Sequence, residues 1–276
     1  MLTERSSRVA AAHRLLRRSR RVEAGEFLAE GVQAVTEALA YAREHPGVVR
    51  ELFLTPDAAA RHVDLVRAAY ATDVEVSVVN RRAMELLSDT QTPQGIIVRC
   101  ASLDVPLAQA LGGSAHHGSP MLVAVLVDTN DPGNAGTVVR LADAAGADAI
   151  VFAGESVDPF NPKAVRASAG SVFHLPIARA TDVEDVLTAL AAAGLSVLAT
   201  TGSAETDLDT AGRDGVLDLP TAWLFGSEAH GLPAHVVAAA DAAVRVPIHG
   251  KAESLNLATA AAICLYASAS AQRRER

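Results

Sequence analysis

The sequence has few aromatic residues, 4% of 276, and only two cysteines, three methionines and one tryptophan. Two cysteines make neither a disulfide framework nor, by themselves, a zinc cluster. Cys100 and Cys264 stand inside apolar runs and read as core residues. Long apolar runs are also missing: a run such as Met121–Val127 falls far short of the ~20 residues that span a membrane. No apolar signal region follows the first arginines, so a cytoplasmic protein is expected. Neither G-x-G-x-x-G nor G-x-x-x-x-G-K-[ST] occurs, which counts against a Rossmann-type dehydrogenase and an ATP-binding P-loop.

What is present is a chain 50% hydrophobic and 20% charged, long enough for one or two α/β domains with a sizeable core. The formal charge of −8 argues against a protein that coats nucleic acid indiscriminately. Its distribution is uneven, because residues 1–22 carry seven arginines against Glu4, a local +6 that leaves −14 for the remainder. Such asymmetry fits an RNA-contacting arm, with Arg14, Arg17, Arg18, Arg20 and Arg21 as its candidates, and equally fits a solvated helix face.

Between Phe27 and Cys100, short apolar runs (Phe27–Ala29, Val48–Leu54, Val74–Val79, Gly95–Cys100) alternate with helical-period segments at Val32–Ala42, Ala58–Ala69 and Arg81–Leu87. A Gly/Ser cluster then marks a linker over 106–120, separating a first domain at 1–105 from a second at 121–276. His116 and His117 fall in that linker and lack the further ligands a metal would need. In the second domain, strands are expected at Met121–Val127, Ala149–Ala153, Val172–Pro176, Leu195–Thr200, Ala222–Gly226 and Ala242–Pro247. Helices are expected between them at Ala135–Ala145, Lys163–Ala169, Val183–Ala193 and Pro233–Ala240, with Leu255–Ala269 after the last strand. This alternation predicts a mostly parallel sheet covered on both faces, with ligands held beyond the strand carboxyl ends.

Three polar, glycine-containing segments stand at such ends: Asn134-x-Gly136-x-x-x-Arg140, Gly226-x-Glu228-x-x-Gly231-Leu232, and Pro247-x-x-Gly250 followed by Ser254-Leu255-Asn256. Together and in this order they resemble the motifs of the SpoU branch of the SPOUT methyltransferases, which methylate ribose 2′-hydroxyls in RNA with S-adenosylmethionine. Phe27-Leu28-Ala29-Glu30-Gly31 and Ser88-Asp89-Thr90-Gln91-Thr92-Pro93-Gln94-Gly95 are similar to the ends of the substrate-binding domain found in many members.

The resemblance implies an α/β protein with a small N-terminal RNA-binding domain and a trefoil-knotted, mostly parallel catalytic domain that dimerises to complete its sites. It implies catalytic roles for Arg140, Asn134, Glu228, Ser254 and Asn256, and S-adenosylmethionine binding by Gly226, Val246, Ile248 and Leu255, with Thr200 and Gly202 as further candidates. Each also has an ordinary reading: Arg140 as an exposed helix arginine, Asn134 as a turn residue, Ser254 as a helix N-cap, and Val246, Ile248 and Leu255 as core. His230 and His249 lie within the motifs without an assigned role. No metal is required by this chemistry. The separate N-terminal domain tilts the expected substrate toward 23S ribosomal RNA over tRNA. A non-catalytic RNA-binding protein of the same fold is the alternative, and the joint presence of the five catalytic candidates counts against it.

Overall fold

The run Leu-Val-Ala-Val-Leu-Val at 122–127 has every residue buried, as expected of a central parallel strand covered on both faces. A computed structural model describes residues 1–112 and 120–274, so His116 and His117 lie outside the described residues. It divides into two units, Met1–Leu103 with Asp158–His174, and Asp104–Val157 with Leu175–Arg276.

The first unit opens with α1 (Ser7–Arg14) and α2 (Arg18–Ala24) and continues through β1 (Glu26–Glu30), α3 (Val32–Ala42), β2 (Val49–Leu54), α4 (Pro56–Arg61), α5 (Val63–Ala71), β3 (Glu75–Val78), α6 (Arg81–Leu87) and β4 (Ile96–Ala101). Its sheet runs in the order β1-β4-β2-β3, with β4 antiparallel to both neighbours and β3 parallel to β2. The single helix expected at Ala58–Ala69 is two, broken at His62.

The second unit begins with β5 (Asp104–Val105) and α7 (Leu107–Ala110), so the first part of the expected linker is structured, and Ala110 and Leu111 are buried in that unit's core. Then come β6 (Leu122–Val127), α8 (Pro132–Ala145) and β7 (Ala149–Ala153). The chain next gives α9 (Pro162–Ser168) and a 3₁₀ turn (Ser171–Phe173) to the first unit before returning with β8 (Ile177–Ala180). The strand expected at Val172–Pro176 is therefore a correction. Val172 and Phe173 are apolar because they are buried in the first unit, where Phe173 stacks on Phe27 at 6.1 Å. A short apolar run does not reveal which kind of packing it serves.

The remainder is α10 (Val183–Ala192), β9 (Ser196–Thr200), β10 (Thr206–Asp207), α11 (Leu208–Arg213), β11 (Thr221–Phe225), α12 (Ala234–Ala239), β12 (Ala242–Arg245) and α13 (Leu257–Arg274). The second sheet has the order β10-β12-β9-β11-β6-β7-β8-β5, and every pair in it is parallel. The chain fills in the sheet on one side of β6 with β7 and β8 and on the other with β11, β9 and β12, and a cavity lies at the carboxyl ends of β9 and β11. Both cysteines are buried, and loss of water pushes the Cys264 thiol up to about 12 and that of Cys100 upward as well. No helix among the described residues is long and apolar enough to cross a membrane.

The arginine-rich start folds onto the first unit, and its arginines divide into two groups. Arg14, Arg17 and Arg18 are exposed, as is Arg20 in its i,i+3 pair with Glu23. Arg21 is 5% exposed: its Nε donates to Asp158 at 2.7 Å and its Nη1 to the carbonyls of Leu15 and Leu16. It is thus a structural residue rather than part of an RNA-contacting arm. Removing one partner of a buried pair strands the other charge. Arg21→Ala should therefore lower the unfolding free energy by about 3–5 kcal/mol in urea titration, whereas Arg18→Ala should leave it within about 0.5 kcal/mol.

Candidate active site

Helix α8 starts where a sequence rule would place it, with the Asp131 carboxylate accepting from the Asn134 N–H at 2.8 Å and Pro132 in the first turn. This cap fixes Asn134 on the first turn, just beyond the carboxyl end of β6. Beyond β11, residues 226–233 fold back tightly: the Gly231 N–H donates to the Ser227 carbonyl at 2.8 Å, and the His230 N–H to Ser227 Oγ at 3.3 Å. Gly231 takes φ +68°, a conformation that favours glycine. A Cβ on Gly226 would lie 2.1 Å from the Gly231 carbonyl carbon and 2.2 Å from the Leu232 nitrogen. The glycine at 226 is therefore required by the protein's own backbone. No ligand need approach to exclude a side chain there.

Beyond β12 an extended stretch leads into α13, and the residue that caps this helix is Asn256. Its Oδ1 accepts from the N–H groups of Ala258 at 2.9 Å and Thr259 at 3.4 Å. Ser254, for which the sequence suggests that role, lies two residues too early and is exposed. With Oδ1 committed to helix N–H donors, the Asn256 amide orientation follows, and Nδ2 donates to Asn134 Oδ1 at 3.0 Å. The same logic fixes Asn134, whose Nδ2 donates to Glu228 Oε1 at 2.8 Å. One residue from each motif thus joins a directional chain that runs from the N-terminus of α13 to a carboxylate.

Beside this chain is a cavity of about 460 Å³, within the range of small-molecule sites. Of the sequence candidates, Thr200, Gly202, Gly226, Glu228, Ser254, Leu255 and Asn256 line it. Val246 and Ile248 do not; they belong to the extended stretch after β12, where Ile248 is 38% exposed. Thr200 Oγ1 is occupied by the Leu224 carbonyl at 2.7 Å, which ties the ends of β9 and β11 together. Arg140 is exposed on α8, outside the cavity lining, and makes no hydrogen bond or ion pair among the described residues.

Sequence reasoning missed Thr201 and Leu257 and left His230 without a role, and all three line the cavity. Their only signal was adjacency to motif residues. No group of three or more His, Cys, Asp or Glu side chains among the described residues could hold a metal ion.

Comparison with known proteins agrees with the geometry. A family model described as the SpoU rRNA methylase family matches residues 121–266, and one described as an MRM3-like substrate binding domain matches residues 6–98. A 23S rRNA (guanosine(2553)-2′-O)-methyltransferase of Bacillus subtilis is 33% identical over 252 residues, 89% of this chain and 89% of that protein. A 23S rRNA (uridine(2479)-2′-O)-methyltransferase of Streptomyces viridochromogenes is 32% identical over 280 residues, 96% of this chain and 90% of that one. Among solved structures, an AdoMet-bound rRNA methyltransferase from Sinorhizobium meliloti superposes with a TM-score of 0.80 at 31% identity, covering 98% of this chain and 95% of that one. The AdoMet complex of the SpoU methyltransferase AviRb from Streptomyces viridochromogenes gives 0.79 at 29% identity, covering 98% and 100%.

The close passage at Gly226 is directly testable. Gly226→Ala should force the 226–232 backbone apart and lower the unfolding free energy by about 1–3 kcal/mol in denaturant titration, while Gly202→Ala, with open space around its Cβ position, should stay within about 0.5 kcal/mol.

Proposed function

Because the chain belongs to the SpoU rRNA methylase family, we propose that it transfers a methyl group from S-adenosylmethionine to a ribose 2′-hydroxyl of 23S ribosomal RNA. The observation that carries this reading is the Asn256–Asn134–Glu228 chain, in which one residue from each motif meets beside one cavity. The names of the relatives favour ribosomal over transfer RNA.

The cavity fits the cofactor in size and in chemistry: Leu232, Leu255 and Leu257 offer apolar walls for an adenine, and Thr201 offers a hydroxyl at the end of β9. Thr200, Gly202, Gly226 and Leu255 are the residues we assign to holding it. When bound, S-adenosylmethionine supplies a sulfonium methyl group that a nucleophilic oxygen can take. The chain's own residues do the positioning. Glu228, fixed by Asn134, presents its second carboxylate oxygen as an acceptor beside the cavity, and Asn256 keeps Asn134 from turning away.

A guanidinium keeps its proton at any working pH, so we assign Arg140 to stabilising the negative charge that develops on the ribose oxygen. Since Arg140 is exposed and lies outside the cavity of its own chain, the proposal includes a homodimer in which one copy's Arg140 serves the other's cavity, together with the family's trefoil-knotted backbone. The exposed Arg14, Arg17, Arg18 and Arg20 are assigned to phosphate contacts.

The test is transfer of labelled methyl from S-adenosylmethionine to unmodified total RNA, fractionated into ribosomal RNA and tRNA and digested to nucleosides. A 2′-O-methylnucleoside in 23S RNA is expected, with Arg140→Ala slowing turnover roughly 10²–10³-fold. Label confined to tRNA would move the substrate class, and no label from folded wild-type protein would favour the non-catalytic RNA-binding reading. Asn256→Asp keeps an acceptor for the α13 cap but sets a carboxylate against Asn134 Oδ1. It should preserve the unfolding midpoint while lowering kcat by at least about ten-fold, and unchanged kcat would remove the hydrogen-bonded chain from the mechanism.

A further inference from the structure

The loop 88–95, between α6 and β4, spends most of its polar side chains on holding itself still. Ser88 Oγ and Thr90 Oγ1 donate to Glu30 Oε1 at 2.7 and 2.9 Å, and the Thr90 N–H donates to Ser88 Oγ at 3.0 Å. Gln94 Oε1 accepts from the Val32 N–H at 3.1 Å, and Asp89 takes Arg166 Nη2 at 3.1 Å. Held at β1, at the start of α3 and at α9, the loop is set before any ligand arrives, which lowers the ordering cost of binding.

Two are left over. The side chains of Gln91 and Thr92 are exposed, make no hydrogen bond among the described residues, and line a cavity of about 320 Å³ in the first unit. Met84, 2% exposed, gives this cavity an apolar wall. Two arginines line it as well. Arg81 is held by Glu85 at 2.8 Å, while Arg61, at the end of α4, has no partner among the described residues. Asp57 also lines it and balances the charge.

A site for a bare polyanion would gather cations. This one instead combines a single free guanidinium, a carboxamide that both donates and accepts, a hydroxyl and an apolar thioether. Those are the needs of one nucleotide: a phosphate, a hydrogen-bonding base edge and a flat apolar face. A paired base in an RNA helix is hard to reach, whereas an unpaired one can be splayed into a pocket. We propose that this cavity takes one unpaired nucleotide of the substrate RNA, Gln91 reading its base edge and Arg61 its phosphate, so that recognition in the first unit selects which RNA is methylated. The inference rests on the RNA-methyltransferase reading above.

The probes are full-length 23S rRNA and a tRNA, both transcribed in vitro and unmodified, titrated against the intact protein in filter binding at several salt concentrations. Gln91→Ala should weaken 23S binding about ten-fold and shrink the preference for 23S over tRNA. Arg61→Ala should weaken binding to both RNAs and reduce the salt slope by about one. Calorimetric affinity for S-adenosylhomocysteine and the thermal midpoint should stay at wild-type values in both variants, since these side chains are exposed and belong to the first unit.

Wild-type 23S affinity in both variants, with methyl transfer intact, would overturn the pocket alone. An equal loss of 23S and tRNA binding in Gln91→Ala would overturn base reading. A wild-type protein that binds neither RNA and transfers no methyl would overturn the functional reading and the pocket together.

Discussion

Parallel pairing sets the terms for the candidate active site. In the second sheet every neighbouring pair runs in the same direction, so the carboxyl ends of β6, β9, β11 and β12 emerge along one edge. Asn134 and Asn256 are 122 residues apart and Asn134 and Glu228 are 94 apart, yet all three reach hydrogen-bonding distance there. Only long-range strand pairing brings such distant positions together. The same pairing requires helices on both faces, which accounts for the continuous apolar strands.

At that edge, one side chain serves two neighbours. Asn256 caps α13 through its oxygen and orients Asn134 through its nitrogen. A carboxylate in its place could cap the helix but has no N–H to give Asn134. The helix N-terminus carries partial positive charge, and the chain of amides leads from it to the Glu228 carboxylate, so each bond polarises the next in a favourable direction. The glycine at 226 belongs to the same economy of space, because the returning backbone at 231–232 occupies the volume a side chain would need.

Much of this was legible in the sequence because the relevant signals are local. Buried parallel strands announce themselves as apolar runs, and the motif residues Asn134, Glu228 and Asn256 were picked out by their resemblance to the SpoU motifs. What stayed hidden depended on partners far along the chain. Arg21 looks like its neighbours on a basic segment, and only Asp158, 137 residues away, reveals it as buried. The two-residue strands β5 and β10 are too short to carry any periodicity. Ser254 and Asn256 are both good capping residues, and choosing between them requires knowing where α13 starts. Val246 and Ile248 alternate as wall residues should, but the stretch that carries them passes outside the cavity lining.

The buried Arg21–Asp158 pair and the stacking of Phe160 on Phe27 at 4.7 Å have a consequence for biosynthesis. A chain emerging from the ribosome presents residues 1–103 long before Asp158–His174 exists to complete their core. Until then Phe27 lacks its aromatic neighbours and the Arg21 guanidinium lacks its carboxylate. The first unit is therefore finished only after β6, α8 and β7 have been made, and the usual order of N-terminal domain first is reversed into interleaved maturation. A fragment cut at the apparent boundary near residue 105 would be missing part of its own interior.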